Sequence, residues 1–206
     1  MTKLYITRHG ETEWNTQQRF QGQHDSPLTK HGVEQANLLS EYLQNIPIDA
    51  IYTSSCNRAV VTANIINSNR NLPFYACDEL REINFGIWEG MSAVEVKEKY
   101  PYDLHKYFNL PDEYIPNNGG ETFDEVRLRI LKKIEEIVSA HLNETILIVV
   151  HGNVLRILHA YFSNCSLSEI WRFLAKPASL SLLTVTDGNY EINFWAKTVD
   201  ELAAAK

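Results

Sequence analysis

Apolar residues in this chain fall into short blocks whose spacing switches between two periods. Leu4-Tyr5-Ile6-Thr7 runs straight into Arg8-His9-Gly10, and Thr145-Ile146-Leu147-Ile148-Val149-Val150 runs straight into His151-Gly152-Asn153. Unbroken apolar, β-branched runs of this length predict strands buried on both faces, as in a parallel sheet. Ala50–Thr53 and Phe74–Cys77 predict two further short strands, and Leu180–Thr186 with Tyr190–Trp195, joined through Asp187-Gly188-Asn189, predicts a hairpin. Between these blocks the apolar period lengthens to that of a helix. Thr29 is placed as an N-cap for Ala36, Leu39, Leu43 and Ile46, a pattern that Pro47 stops. Ser54 or Ser55 is placed to cap a second helix, with Ala59, Val60, Ala63 and Ile66 on its apolar side. Thr122 and Glu125 form a capping box that opens a long amphipathic helix with Phe123, Val126, Ile130, Ile134 and Ile137 inward. Val154–Phe162 predicts another helix. This alternation predicts an α/β fold, a three-layer sandwich with a mostly parallel sheet flanked by helices.

Two stretches interrupt the pattern. Glu13 to Pro27 is a polar loop holding Trp14, Asn15, Arg19, Gln21, Gly22, His24 and Asp25, longer than a simple connection requires. From Ser92 to Asn118 the chain reads as short helical pieces rich in Tyr100, Tyr102, Tyr107, Phe108 and Tyr114, closed by Pro116-Asn117-Asn118-Gly119-Gly120. We expect one domain over residues 1–206, with a helical, aromatic cap inserted at about 86–120 over the sheet edge. The Ala-rich end from Glu201 to Lys206 is expected to fray.

Composition narrows the partners. With 206 residues, 44% of them hydrophobic, the chain is long enough for a substantial core. A net charge of −7 and the absence of any basic run argue against nucleic-acid binding, so an anionic ligand must be held by a local cation cluster. No apolar run approaches the length of a membrane span or of a signal peptide's core. Cys56, Cys77 and Cys165 are scattered and odd in number, which fits a reducing cytoplasm.

The candidate chemistry collects at the strand ends. Two strands each ending in His-Gly would, if adjacent and parallel, set two imidazoles side by side at the carboxyl edge, where open α/β sheets bind ligands. Either histidine alone is an ordinary turn residue; both together, one beside Arg8, point to a site. Arg58 falls in a helix's first turn, where the dipole disfavours a cation, and an anion held between it and the free N–H groups would account for it. Among the acids of the 78–90 stretch, Glu79, Glu82 and Glu89 each qualify as a buried proton donor, and the residues do not choose between them. A zinc site of His9, His151 and an acid is the rival, disfavoured by arginines that would repel a cation.

Arg8-His9-Gly10-Glu11-Thr12 with Asn15, Gln21-Gly22, Ser54-Ser55 before Arg58-Ala59, Glu82 ahead of Phe85-Gly86, Gly119-Gly120-Glu121-Thr122 and His151-Gly152 together resemble, in that order, the histidine phosphatase superfamily, whose fold is phosphoglycerate-mutase-like. The resemblance implies a phosphomonoester hydrolase acting through a phosphohistidine on small organic phosphates, without metal or other cofactor. His9 would be the nucleophile, Glu82 the proton donor, and Arg8, Arg58 and His151 the phosphoryl clamp. Asn15, Gln21, Gly22 and Gly152 would support the phosphate. The cap carries Lys97, Lys99, His105 and Lys106 but no arginine, which favours a phosphatase over a phosphoglycerate mutase. Gly86-Ile87-Trp88-Glu89-Gly90 is similar to α-ribazole-phosphate phosphatases of cobalamin synthesis, the second option. A phospho-ligand binding module is the non-enzymatic one. The cap aromatics, with Phe85 and Trp88, are expected mostly to pack the cap, a few of them walling the pocket.

Overall fold

The structure is a computed structural model and describes residues 1–204; Ala205 and Lys206 lie outside the described residues. In the first strand, β1 (Thr2–Arg8), Leu4 and Ile6 bury on one face and Tyr5 on the other. Strand β4 (Thr145–Val150) divides in the same way, Ile146, Ile148 and Val150 against Leu147 and Val149. This period of two in strands buried on both sides creates two cores, one on each face. One takes α2 (Lys30–Leu43), α3 (Asn57–Asn67) and the short α8 (Val199–Ala203) through Leu39, Leu43, Ala59, Ala63, Ile66 and Leu202. The other takes α6 (Phe123–Ala140) and α7 (Gly152–Phe162) through Phe123, Ile130, Val154 and Leu158.

With β2 (Ala50–Ser54), β3 (Phe74–Cys77), β5 (Leu180–Thr186) and β6 (Asn189–Lys197), the sheet has six strands in the order β3-β2-β4-β1-β5-β6. Pairings β1–β4, β2–β3 and β2–β4 are parallel, while β5 adds antiparallel and carries the predicted hairpin. Among the described residues no helix is long and apolar enough to cross a membrane.

Three local expectations change. The polar loop opens with a helical turn, α1 (Glu13–Thr16), capped reciprocally by Thr12 and Asn15. Helix α3 starts after Cys56, which makes no side-chain cap; neither Ser54 nor Ser55 caps it. Its first amides go instead to Asp25 of the loop, from Asn57 N–H at 2.7 Å and Arg58 N–H at 3.2 Å. A carboxylate from a distant loop thus supplies the anion that the helix dipole favours. The tail is ordered through residue 204: a Thr198–Glu201 capping box starts α8, and Leu202 is buried. In the 86–120 stretch, α4 (Ala93–Lys99) and α5 (Pro101–Asn109) form, and Trp88, Val96, Tyr107 and Tyr114 share a core with Leu4 and Ile6.

Candidate active site

The β1–β4 register, Arg8 opposite Val150, sets the two His-Gly turns side by side. His9 N–H donates to the Val150 carbonyl at 3.0 Å, and the His9 and His151 ring centres stand 5.2 Å apart. Gly10 is required by packing: a Cβ there would lie 2.4 Å from the Gly32 carbonyl oxygen at the start of α2.

The His9 ring is buried and its tautomer is set by a neighbour. Nδ1 lies 2.7 Å from the Gly10 carbonyl, which only accepts, so Nδ1 carries the hydrogen and Nε2 keeps its lone pair. Arg58 Nε donates to that Nε2 at 3.3 Å. Burial, then the charges of Arg58 and Arg8, hold the imidazole well below its usual pKa, against a smaller opposite effect of the Gly10 carbonyl. His9 is therefore neutral at neutral pH.

Arg58 is 1% exposed and almost fully committed. Nη1 donates to the His24 carbonyl at 2.6 Å and to Asp25 at 2.7 Å, and Nη2 donates to the Gly22 carbonyl at 2.6 Å. The loop that looked long in the sequence is thus folded around this guanidinium. Nε and the second Nη2 N–H remain as one edge of the fork. Arg8 donates Nη1 to the Ala175 carbonyl at 2.7 Å, and its Nε is buried without a partner among the described residues. Burial lowers the Arg8 pKa to about 10, Glu82 opposing this and Arg156 and Arg58 adding to it.

His151 lies wholly buried beside His9 and does not line the pocket. Its Nε2 sits 2.7 Å from Ser54 Oγ, while Nδ1 is buried with no partner among the described residues. Burial first, then Arg58, His9 and Arg8, keep it neutral as well. Ser54 therefore supports a histidine, where the sequence pattern suggested a helix cap.

Of the three candidate acids, Glu82 alone lines the pocket, which has a volume of about 220 Å³. Its carboxylate accepts Ile83 N–H at 2.9 Å and Asn153 N–H, in the first turn of α7, at 3.1 Å. Glu89 is spent on the backbone amides of Gln23, His24 and Phe85, and Glu79 faces Lys133 at 3.4 Å. Asn15, Gln21, Gly22 and Gly152 also line the pocket. Of the named aromatics, Phe85, Tyr107 and Phe108 reach it; Trp88, Tyr100 and Tyr114 pack elsewhere, and Tyr102 is exposed. Lys97, Lys99, His105 and Lys106 do not line it either.

The pocket also contains Arg156, Trp171, Phe20 and Arg19, which carried no assignment in the sequence reading. Arg156 was detectable, since it follows Gly152 by four residues and so shares its helix face. Trp171 comes from an irregular 3₁₀ segment, Leu167–Arg172, whose pattern carries no facing information.

Residues 4–198 match the model of the histidine phosphatase superfamily, branch 1. Phosphoserine phosphatase 1 of Hydrogenobacter thermophilus is 36% identical over 89% of this chain and 86% of its own length. Adenosylcobalamin/alpha-ribazole phosphatase of Escherichia coli is 31% identical over 89% of this chain and 90% of its own. The solved structure of YhfR from Bacillus stearothermophilus superposes with a TM-score of 0.94 at 38% identity, covering 96% of this chain and 98% of that one. On the strength of the matched family model and of relatives that are themselves named phosphatases, this chain belongs to the histidine phosphatase superfamily.

Proposed function

We propose that the protein hydrolyses phosphomonoesters of small organic alcohols through a phosphohistidine on His9. One observation carries this reading: a neutral imidazole, its Nδ1 tied to the Gly10 carbonyl, presents Nε2 beside the Arg58 guanidinium in the pocket. The Nε2 lone pair attacks phosphorus in line while the ester oxygen leaves opposite. Arg58 turns its Nε N–H from the imidazole to a phosphoryl oxygen, and Arg8 and the Gly152 N–H take others. Asn15, Gln21 and the Gly22 N–H complete the clamp. Ser54 Oγ accepts Cys56 N–H at 3.2 Å and can direct its own hydrogen at His151 Nε2, which leaves Nδ1 of His151 as a donor for the phosphoryl group. Glu82 gives its proton to the departing alkoxide, then takes one from the water that attacks the P–N bond, so inorganic phosphate leaves and His9 is restored.

A zinc ion on His9 is disfavoured by the charges of Arg58 and Arg8 beside the ring, which would repel a cation. The reading treats residues 1–206 as one domain with 86–120 as its cap, supported by the core that this segment shares with the sheet. The cap lines the pocket with Ala93, Tyr107 and Phe108, none of them cationic, which supports hydrolysis over a mutase reaction. The likeness to the Escherichia coli enzyme keeps α-ribazole phosphate as the second substrate reading.

Glu82→Gln tests the scheme. It keeps the shape but cannot donate, and general acid catalysis contributes roughly 10²–10⁴-fold. Phosphoenzyme formation, followed by rapid quench, is expected to fall far more for an alkyl phosphate than for p-nitrophenyl phosphate, whose leaving group needs no proton. Equal losses for both would reduce Glu82 to a positional role.

A further inference from the structure

Arg156 is the pocket cation that the phosphohistidine scheme leaves unused. It stands one turn after Gly152 on α7, and a Cβ placed on that glycine would lie 3.3 Å from Arg156 Nη1 and 3.5 Å from Arg8 Cζ. Its guanidinium carbon lies over the Trp171 ring, 5.4 Å from the ring centre. Trp171 in turn meets the cap rings of Tyr107 and Phe108 at 5.0 and 5.1 Å. Arg156 therefore sits between the phosphate floor and the cap.

Its charge is unanswered. Arg58 is paired with Asp25 at 2.7 Å, and Arg19 with Glu95 at 3.5 Å, while Arg8 donates to the Ala175 carbonyl and feels Glu82. Among the described residues Arg156 has neither an ion pair nor a side-chain hydrogen bond, and its Nε, like that of Arg8, is buried without a partner. An aromatic face steadies a cation only modestly. A half-buried guanidinium held this way is completed by an anion that offers two oxygens to its fork of N–H groups.

We infer that Arg156, backed by Trp171, binds a second anionic group carried by the leaving group, a carboxylate or a further phosphate. The substrate class is then the phosphate ester of an acidic alcohol or phenol. The inference rests on the proposed function for one point, that the transferred phosphoryl group occupies Arg8, His9 and Arg58.

The test compares 4-carboxyphenyl phosphate with 4-carbamoylphenyl phosphate, which differ in charge and hardly in shape. The protein is expected to favour the carboxylate ester at least tenfold in kcat/KM, the difference lying in KM. Arg156→Gln should bring that preference below twofold, and Arg156→Lys should keep part of it. Binding of the same two esters to His9→Ala, measured by calorimetry, should show the same preference without turnover. If the protein hydrolyses neither ester, the phosphohistidine reading fails while the binding preference still decides the role of Arg156. No preference in kcat/KM or in binding overturns the inference. So does a parallel loss on both esters in Arg156→Gln, which would make Arg156 a ligand of the transferred phosphoryl group.

Discussion

His9 and His151 start from nearly the same local sequence, a buried strand running into His-Gly, and the fold gives them different surroundings. At His9 the ring is tied through Nδ1 to the next residue's carbonyl, and Nε2 opens on the pocket beside Arg58. At His151 the hydrogen bond is made by the other nitrogen, Nε2, to Ser54 on the neighbouring strand, and the ring lies behind the pocket surface. A motif thus specifies where an imidazole stands, and the partner of its second nitrogen specifies what it does. A nucleophile needs an accessible lone pair; a donor needs a fixed N–H and can remain buried.

The widest separation of the two is expected from His9→Ala. Turnover should be abolished with the fold intact, since the loss is one strand-end ring, and quenched reactions should contain no acid-labile phosphate on the protein. Phosphate still attached to this variant would take the nucleophile's role away from His9. His151→Ala should be milder: removing one preorganised donor typically costs roughly 10²–10³-fold in kcat. The phosphoenzyme should still form there, only more slowly, and its absence would make the two histidines equivalent.

Ser54→Ala probes the support of His151 alone. A hydrogen bond of this kind contributes about 1 kcal/mol net, or about fivefold in rate if it serves only to orient the ring. A loss as large as that of His151→Ala would place Ser54 itself in the clamp.

Both rings share one further expectation, in stability. Their pKa values in the folded protein lie well below the ordinary value, so the unfolded chain takes up protons that the folded one refuses. As pH falls below about 6.5, stability should drop with a slope of up to about 1.4 kcal/mol per pH unit for each imidazole. Urea midpoints between pH 7 and pH 5 measure this, and His9→Ala should remove its own share of the slope. A midpoint that does not move with pH would show that the rings are protonated in the folded state.

How far the site could be read ahead of the structure depended on where each partner lies in the chain. The apolar alternation of Leu4, Tyr5 and Ile6, the Thr122–Glu125 box and the Asp187-Gly188-Asn189 turn act through residues nearby, so the strands, helices and hairpin were legible. His9 and His151 were legible as a pair because two parallel strands with the same ending can meet at one edge. Ser54 or Ser55 was expected to cap because a serine before a helix usually does; the Ser54 hydroxyl instead meets the Cys56 N–H and also His151, 97 residues away. The acid could not be chosen locally either, since what separates Glu82 from Glu89 is which distant amide each accepts, that of Asn153 or those of Gln23 and His24. Trp171 enters through tertiary packing alone, whereas Arg156 lies four residues after Gly152 and shares its helix face.

Asp25 joins two requirements in a single carboxylate: it takes the first amides of α3 and it neutralises Arg58. If the 13–27 loop opened, α3 would lose its cap at the same moment that a buried guanidinium lost its counter-charge and two carbonyl acceptors. The loop and the helix end are therefore thermodynamically one unit, and neither can relax alone without exposing an unpaired charge. In hydrogen-exchange terms, the amides of Asn57 and Arg58 report the closure of a loop that lies more than thirty residues earlier in the chain.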